Sequence, residues 1–81
     1  MNTLDQLREA FGDVLGLDTD SDFSDLAYGS TRGWDSVAHM ALIASIESKF
    51  DIMLTTEDVI GMSDFAKAVE VVSRHGVSFD A

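Results

Sequence analysis

Residues 34–50, WDSVAHMALIASIESKF, carry two apolar stripes at helical spacing. At 3.6 residues per turn, one side of a helix contains Leu42, Ile43, Ile46 and Phe50. The other side contains Val37, Met40, Ala41 and Ala44. A helix in a small bundle buries one stripe against the core, so the second is predicted to be an exposed contact surface. The alternative is that a short neighbouring helix covers the second stripe.

Three further segments have helical patterns, which predicts an all-α fold. We expect a small four-helix bundle of three longer helices and one short helix, with a long loop after the first helix. The predicted helices cover residues 3–16, 36–50, 55–60 and 63–75. The loop, residues 17–35, is polar and contains glycine, and loops of this length are often functional. The tail, residues 77–81, is predicted to be loose.

Length and charge limit the class of protein. The 81 residues predict a single domain, residues 1–81, with too little interior for a deep active site. Fifteen acidic and five basic residues give a net charge of −10, which disfavours nucleic acid and anionic membranes as partners. The same charge favours encounter with basic patches on other proteins.

The absence of cysteine and the hydropathy of the chain bear on where in the cell the protein is located. The chain has no cysteine, so it has neither disulfides nor thiolate metal sites, which is compatible with a reducing compartment. The N-terminus lacks the pattern of a secretory signal, and no apolar run approaches the ~18 residues of a membrane span. We therefore expect a cytoplasmic monomer that does not bind membranes.

Metal-binding and catalytic motifs are weak. The acidic run at residues 18–22 resembles the start of a calcium loop, but Phe23 and Gly29 occupy the positions that require glycine and glutamate. His39 and His75 lie on different predicted helices, so no metal site is expected. Ser36 and His39 are three residues apart on one helix, which does not orient a base toward a nucleophile. No catalytic residue is predicted.

Ser36 is nevertheless the most informative polar residue, because it begins the doubly apolar helix. Backbone N–H groups and the helix dipole favour an anion at this end, so a phosphate esterified to Ser36 would be well placed. Serine is also a preferred helix cap, and an ordinary capping role is the alternative.

The segment GWDSVAHMALIASIESKF, residues 33–50, resembles the modification site and recognition helix of acyl carrier proteins. The following DIMLTTEDV, residues 51–59, is also similar to that family. The resemblance implies that Ser36 carries covalent 4′-phosphopantetheine, taken from coenzyme A by a phosphopantetheinyl transferase that uses Mg²⁺. It implies that Asp35 assists this modification. The arm then supplies the thiol on which acyl groups are held as thioesters, and the chain itself catalyses nothing.

The same resemblance implies a partner-binding face for acyl-loading and acyl-processing enzymes with basic or apolar docking patches. The resemblance places Val37, Met40, Glu47, Glu57 and Asp58 on this face, and the second apolar stripe of the helix adds Ala41 and Ala44. The resemblance also implies that an acyl chain hides inside the bundle, beneath the second and third helices. The pathway implied is fatty-acid or related acyl biosynthesis.

Departures from the family pattern leave alternatives open. Alanine or serine stands at positions 38, 41 and 48, where acids are frequent, and Val37 replaces the usual leucine. Trp34 is bulky where small residues are common, and Trp-Asp-Ser followed by Ala-His resembles specialised stand-alone carriers more than the housekeeping fatty-acid carrier. An aminoacyl or peptidyl carrier of a specialised pathway is one alternative. A helical protein–protein adaptor, with Ser36 as a plain cap, is the other.

Overall fold

Four helices make up the computed structural model, which describes residues 3–18 and 22–79. They are α1 (Thr3–Leu15), α2 (Ser36–Phe50), α3 (Thr56–Gly61) and α4 (Phe65–Arg74). The described residues contain no strand, and the predicted all-α bundle with one short helix and a long first loop is confirmed. No helix in these ranges is long and apolar enough to cross a membrane.

The helix boundaries follow the capping residues. Thr55 and Asp58 form a capping box that starts α3 at Thr56, one residue later than predicted. Asp64 caps α4 by accepting a hydrogen bond from the backbone N of Lys67, so the predicted start at Ser63 is wrong by two residues. Gly16 follows α1 with φ 74°, a left-handed conformation that glycine adopts without strain.

The core lies where the helices and the first loop meet. Its fully buried side chains include Leu7 and Phe11 from α1 and Leu42 and Ile46 from α2. Phe11 is at the centre of an aromatic cluster, with edge contacts to Phe23, Trp34 and Phe65 at 6.2, 5.5 and 5.0 Å between ring centroids. The predicted core stripe of α2 is therefore confirmed, although Phe50 is only half-buried.

The first loop returns tightly to the bundle. A Cβ built on Gly12 would lie 2.4 Å from the carbonyl oxygen of Leu17, so this approach requires glycine. Phe23 and Leu26 are buried and hold the middle of the loop against the core. Residues 19–21 of the acidic run lie outside the described residues.

The C-terminal segment is better packed than predicted. Val77 and Phe79 are partly buried against the core, and Phe79 lies 6.4 Å from Phe50 between ring centroids. The expectation of a loose tail is therefore wrong for residues 77–79. Residues 80–81 are not described.

Candidate functional site

Ser36 is the first residue of α2 and is exposed, but it does not cap the helix. The cap is Asp35, whose Oδ1 accepts a hydrogen bond from the backbone N of Ala38 at 2.9 Å. The first intrahelical bond runs from the backbone N of His39 to the carbonyl of Asp35 at 2.8 Å. The N–H groups of Ser36 and Val37 precede this bond and lie at the positive end of the helix. The alternative of a plain serine cap is therefore wrong.

The loop before Ser36 is held by its own hydrogen bonds. Thr31 Oγ1 accepts from the backbone N of Ala27 at 2.8 Å, and the backbone N of Thr31 donates to the Ala27 carbonyl at 2.8 Å. The backbone N of Tyr28 donates to the carbonyl of Ser63 at 2.8 Å, which ties the loop to the segment before α4. An open depression of about 540 Å³ extends along residues 28–36 and ends at Ser36. Arg32 supplies a positive charge to its lining.

Trp34 anchors this loop and is joined to α2 and α3 by a buried relay of hydrogen bonds. The indole Nε1 donates to Nδ1 of His39 at 2.9 Å, and Nε2 of His39 lies 2.7 Å from the carbonyl oxygen of Val59. A carbonyl only accepts, so Nε2 carries the proton and Nδ1 accepts, which fixes His39 as the neutral tautomer. Trp34 and His39 are 1% and 8% exposed.

The relay also settles what His39 does for Ser36. Both ring nitrogens of His39 are engaged, one by Trp34 and the other by Val59. Neither nitrogen is available to take a proton from the hydroxyl of Ser36, so the two residues do not form a nucleophile–base pair. His39 is the hydrogen-bonded histidine that the sequence favoured. Its two partners were not predicted, because they are 5 and 20 residues away in the sequence.

The second apolar stripe of α2 is on the surface. Val37 and Met40 are 79% and 57% exposed, and Ala41 and Ala44 are exposed as well. The short helix α3 therefore does not cover this stripe. Ile60 of α3 and Met53 of the preceding loop are also exposed, at 76% and 84%. These two residues were not predicted to be part of an exposed apolar surface, although apolar residues near the acidic positions of a short helix could have indicated it.

The three acidic residues predicted to bind partners have different surroundings. Glu57 is exposed. Glu47 is half-buried, and its Oε2 accepts from the backbone N of Leu54 at 2.9 Å, which closes the turn after α2. Asp58 is buried, bonded to the backbone N of Thr55 and 2.8 Å from Nε2 of His75. Asp58 is thus a structural carboxylate that joins α3 to the end of α4, and its placement on the partner-binding face is corrected.

The contacts of Asp58 change its acidity. The hydrogen bond from the backbone of Thr55, followed by the one from His75, lowers the pKa of the Asp58 carboxyl below its ordinary value. At the other end of the bundle, the hydroxyl and backbone N of Ser24 lower the pKa of Asp22 in the same way. Asp22 stabilises a local turn, whereas Asp58 caps α3 and contacts His75, so neither carboxylate belongs to a reactive pair. Within residues 3–18 and 22–79, no cluster of side chains is placed to hold a metal ion.

A second surface feature lies between α2 and α3, on the side of Ser36. It is a groove of about 250 Å³ lined by Tyr28, His39, Val59, Ile60, Met62 and Ser63. His39 forms part of its inner wall and lies one helical turn after Ser36. The groove is largely apolar, with the polar side chain of Ser63 at its edge.

Comparison with known proteins identifies a family model and curated relatives. Residues 5–72 match the family model described as "Phosphopantetheine attachment site". This domain is the site of covalently attached 4′-phosphopantetheine. An acyl carrier protein of Kineococcus radiotolerans is 30% identical over 71 residues, which is 88% of this chain and 88% of the relative. Both matches include the α2 segment that begins with Ser36.

Proposed function

Because the chain belongs to the acyl carrier protein family of phosphopantetheine-binding proteins, we propose that Ser36 carries the 4′-phosphopantetheine arm. The supporting observation is that Ser36 is an exposed residue in the first turn of α2 whose helix is capped by another side chain. Its hydroxyl is therefore not needed for folding.

The surroundings of Ser36 fit a phosphodiester. The amides of Ser36 and Val37 lie at the positive end of a 15-residue helix, which favours a negatively charged group esterified there. Arg32 contributes a positive charge to the lining of the depression that ends at Ser36. Asp35 lies beside the hydroxyl and is the residue that we propose to assist the modifying enzyme.

The arm, once attached, supplies the thiol that this cysteine-free chain lacks, and an acyl group is held there as a thioester. The residues of the chain bind, orient and present this group. His39 has no free ring nitrogen and Asp35 is engaged as a cap, so neither is positioned to hydrolyse a thioester. We propose a carrier without catalytic activity of its own.

We propose that partner enzymes dock on the exposed stripe of α2 together with Ile60 of α3. Val37 and Met40 are large apolar side chains held in water next to the proposed attachment point. A flexible methionine suits a face that must fit several partners. Ala41, Ala44 and Glu57 are exposed on the same two helices, while Glu47 contributes through its half-buried carboxylate. The partners are the phosphopantetheinyl transferase and the enzymes that load and process the acyl group.

We assign the carrier to fatty-acid or related acyl biosynthesis in the cytoplasm, as a monomer. The net charge of −10 and the absence of cysteine support this assignment. An aminoacyl or peptidyl cargo is the alternative within the family. Mass analysis of the intact protein from its native cell would distinguish the two by the mass of the attached group.

Mass spectrometry after co-expression with a promiscuous phosphopantetheinyl transferase tests the attachment point. The wild-type chain is expected to gain the mass of one arm, and Ser36→Ala is expected to gain nothing. Ser30→Ala is the matched control, because Ser30 is another exposed serine of the same depression. A folded wild-type chain that stays unmodified would favour the adaptor function, and a modified Ser36→Ala variant would place the arm elsewhere.

A further inference from the structure

The bond between His39 and Val59 joins α2 to α3 on the side of the bundle where Ser36 lies. His39 is in the first turns of α2, and Val59 offers a carbonyl near the end of α3. The 2.7 Å bond between them is therefore a bridge across the gap between the two helices. Trp34 also holds the His39 ring in place, because its indole Nε1 donates a hydrogen bond to Nδ1 of that ring.

We propose that this bridge closes the passage into the core, so that the protein holds a short acyl group in the surface groove and excludes long acyl chains from its interior, in contrast to the interior acyl site that the family resemblance implies. The proposal rests on the proposed function, because it concerns the cargo of an arm attached to Ser36. It makes His39 the specificity-determining residue for the length of the cargo.

The core cluster that includes Trp34 is closed to solvent. Met62, Leu42 and Ile46 are 0% exposed, and Trp34 is 1% exposed. An acyl chain that entered between α2 and α3 would have to separate His39 from Val59 and displace these side chains. The Nε2–H of His39 would then lose its acceptor in an apolar environment, and the Val59 carbonyl would keep only the 3.5 Å bond from the backbone N of Met62, which opposes entry. Close-packed interiors do not yield the needed volume without such rearrangement.

The groove outside the bridge is the space that remains for cargo. Its volume of about 250 Å³ is bounded by His39 and Met62 on the inner side and by the exposed rings and chains of Tyr28 and Ile60 at the rim. Because His39 lines the groove and is one helical turn from Ser36, an arm attached to Ser36 has only a short distance to reach it. A short acyl group on the arm fits this place, whereas the far end of a long chain would extend into water.

The rate at which hydroxylamine cleaves the thioester measures whether the acyl chain is buried. Butyryl and decanoyl forms are prepared by transferring each acyl-phosphopantetheine from its coenzyme A thioester to Ser36, with release of adenosine 3′,5′-bisphosphate, and cleavage is followed by mass spectrometry. Each rate is normalised to that of the same acyl-coenzyme A. For the wild-type chain we expect the two normalised rates to agree within about threefold, because protection of about threefold already means burial for about two thirds of the time. A decanoyl thioester protected by more than this would overturn the proposal.

His39→Ala tests the role of the bridge directly. This variant removes the bond to Val59 and opens space beside Trp34, so its decanoyl form is expected to be cleaved more slowly than its butyryl form. A folded variant with equal normalised rates would show that His39 does not set the limit. If circular dichroism shows that His39→Ala does not fold, the wild-type comparison decides alone. Failure of the proposed function is distinct, because no arm would then be transferred to Ser36.

Discussion

The carboxylate of Asp35 accepts a hydrogen bond from the backbone N of Ala38 at 2.9 Å, and so it caps the helix in place of the neighbouring Ser36. Adjacent residues in the pair Asp-Ser thus have separate duties. The aspartate satisfies the end of the helix, and the serine hydroxyl remains at the surface. A modification of Ser36 therefore requires no loss of a capping bond.

The first prediction tests by substitution that Asp35 caps α2 and that Ser36 does not. Ser36→Ala is expected to change the free energy of unfolding by no more than about 0.5 kcal/mol, as for ordinary surface positions. Asp35→Ala is expected to cost about 1 kcal/mol, because the amide of Ala38 loses its capping partner. Urea denaturation followed by circular dichroism measures both values. A larger loss in Ser36→Ala than in Asp35→Ala would contradict the assignment of the cap.

Asp35→Asn completes this comparison. Asparagine caps helices about as well as aspartate, so the stability of this variant should stay close to that of the wild type. Its negative charge is gone, and transfer of the arm to Ser36 is expected to slow. Unchanged transfer in Asp35→Asn would mean that Asp35 only caps the helix.

The second prediction concerns the buried relay. Trp34→Phe removes the indole N–H and leaves Nδ1 of His39 without its donor, which is expected to cost about 1–3 kcal/mol of stability. Tyr28→Phe is the matched control, because it keeps an aromatic ring that packs 5.0 Å from His39 between centroids and removes only a hydroxyl. Far-UV circular dichroism in urea reports both variants. If Trp34→Phe and the wild type have equal free energies of unfolding, the hydrogen-bond relay does not stabilise the fold.

The third prediction tests the docking face. Met40→Glu is expected to leave the helix content and stability unchanged, because Met40 is 57% exposed, and to weaken modification by the transferase. Ala66→Glu places the same charge on an exposed position of α4 and serves as the control. Initial rates of arm transfer at several protein concentrations give the effect. A loss of helix in Met40→Glu, or equal rates in the two variants, would argue against this face.

The fourth prediction uses the lowered pKa of Asp58. A carboxyl whose pKa is lower in the folded than in the unfolded chain stabilises the fold above the unfolded value, and this contribution is lost as the pH falls through the folded value. The loss therefore belongs to the acidic range below about pH 4. The urea midpoint of the wild-type chain should fall there more steeply than that of Asp58→Asn.

Glu57→Gln is the control for net charge in this experiment, since it removes an exposed carboxylate from the adjacent position of α3. It is expected to retain the steep acidic fall of the wild type. If Asp58→Asn shows the same fall as Glu57→Gln, the ties of Asp58 to Thr55 and His75 do not contribute to acid stability.

The helices and the proposed attachment point could be predicted from the sequence because their evidence is local. The stripe of Leu42, Ile43 and Ile46 lies within one helix, and all three are buried as its spacing predicts. The capping residues of α2 and α4 could not be predicted in the same way. Asp35 is followed by Ser36 and Asp64 is preceded by Ser63, and serine caps helices about as well as aspartate. Only the geometry of the backbone decides which of two neighbouring polar residues accepts the bond.

The long-range contacts of polar residues could not be predicted. Asp58 has the sequence context of a surface acid, yet it is 9% exposed because His75, 17 residues later, returns beside it. The sequence around His39 likewise does not indicate that its ring will contact the carbonyl of Val59, 20 residues later. Such pairs depend on how the helices cross, and this follows from packing of the whole core.

The bundle contains one tryptophan, and its indole lies in the wall between the loop and the core, 1% exposed and in contact with an imidazole. Its ultraviolet emission is therefore a label-free optical probe of this single location. A red shift would report water reaching the indole, and a change in intensity would report movement of the neighbouring ring. Arm attachment, acyl loading and partner encounter can each be followed on the unlabelled protein in real time.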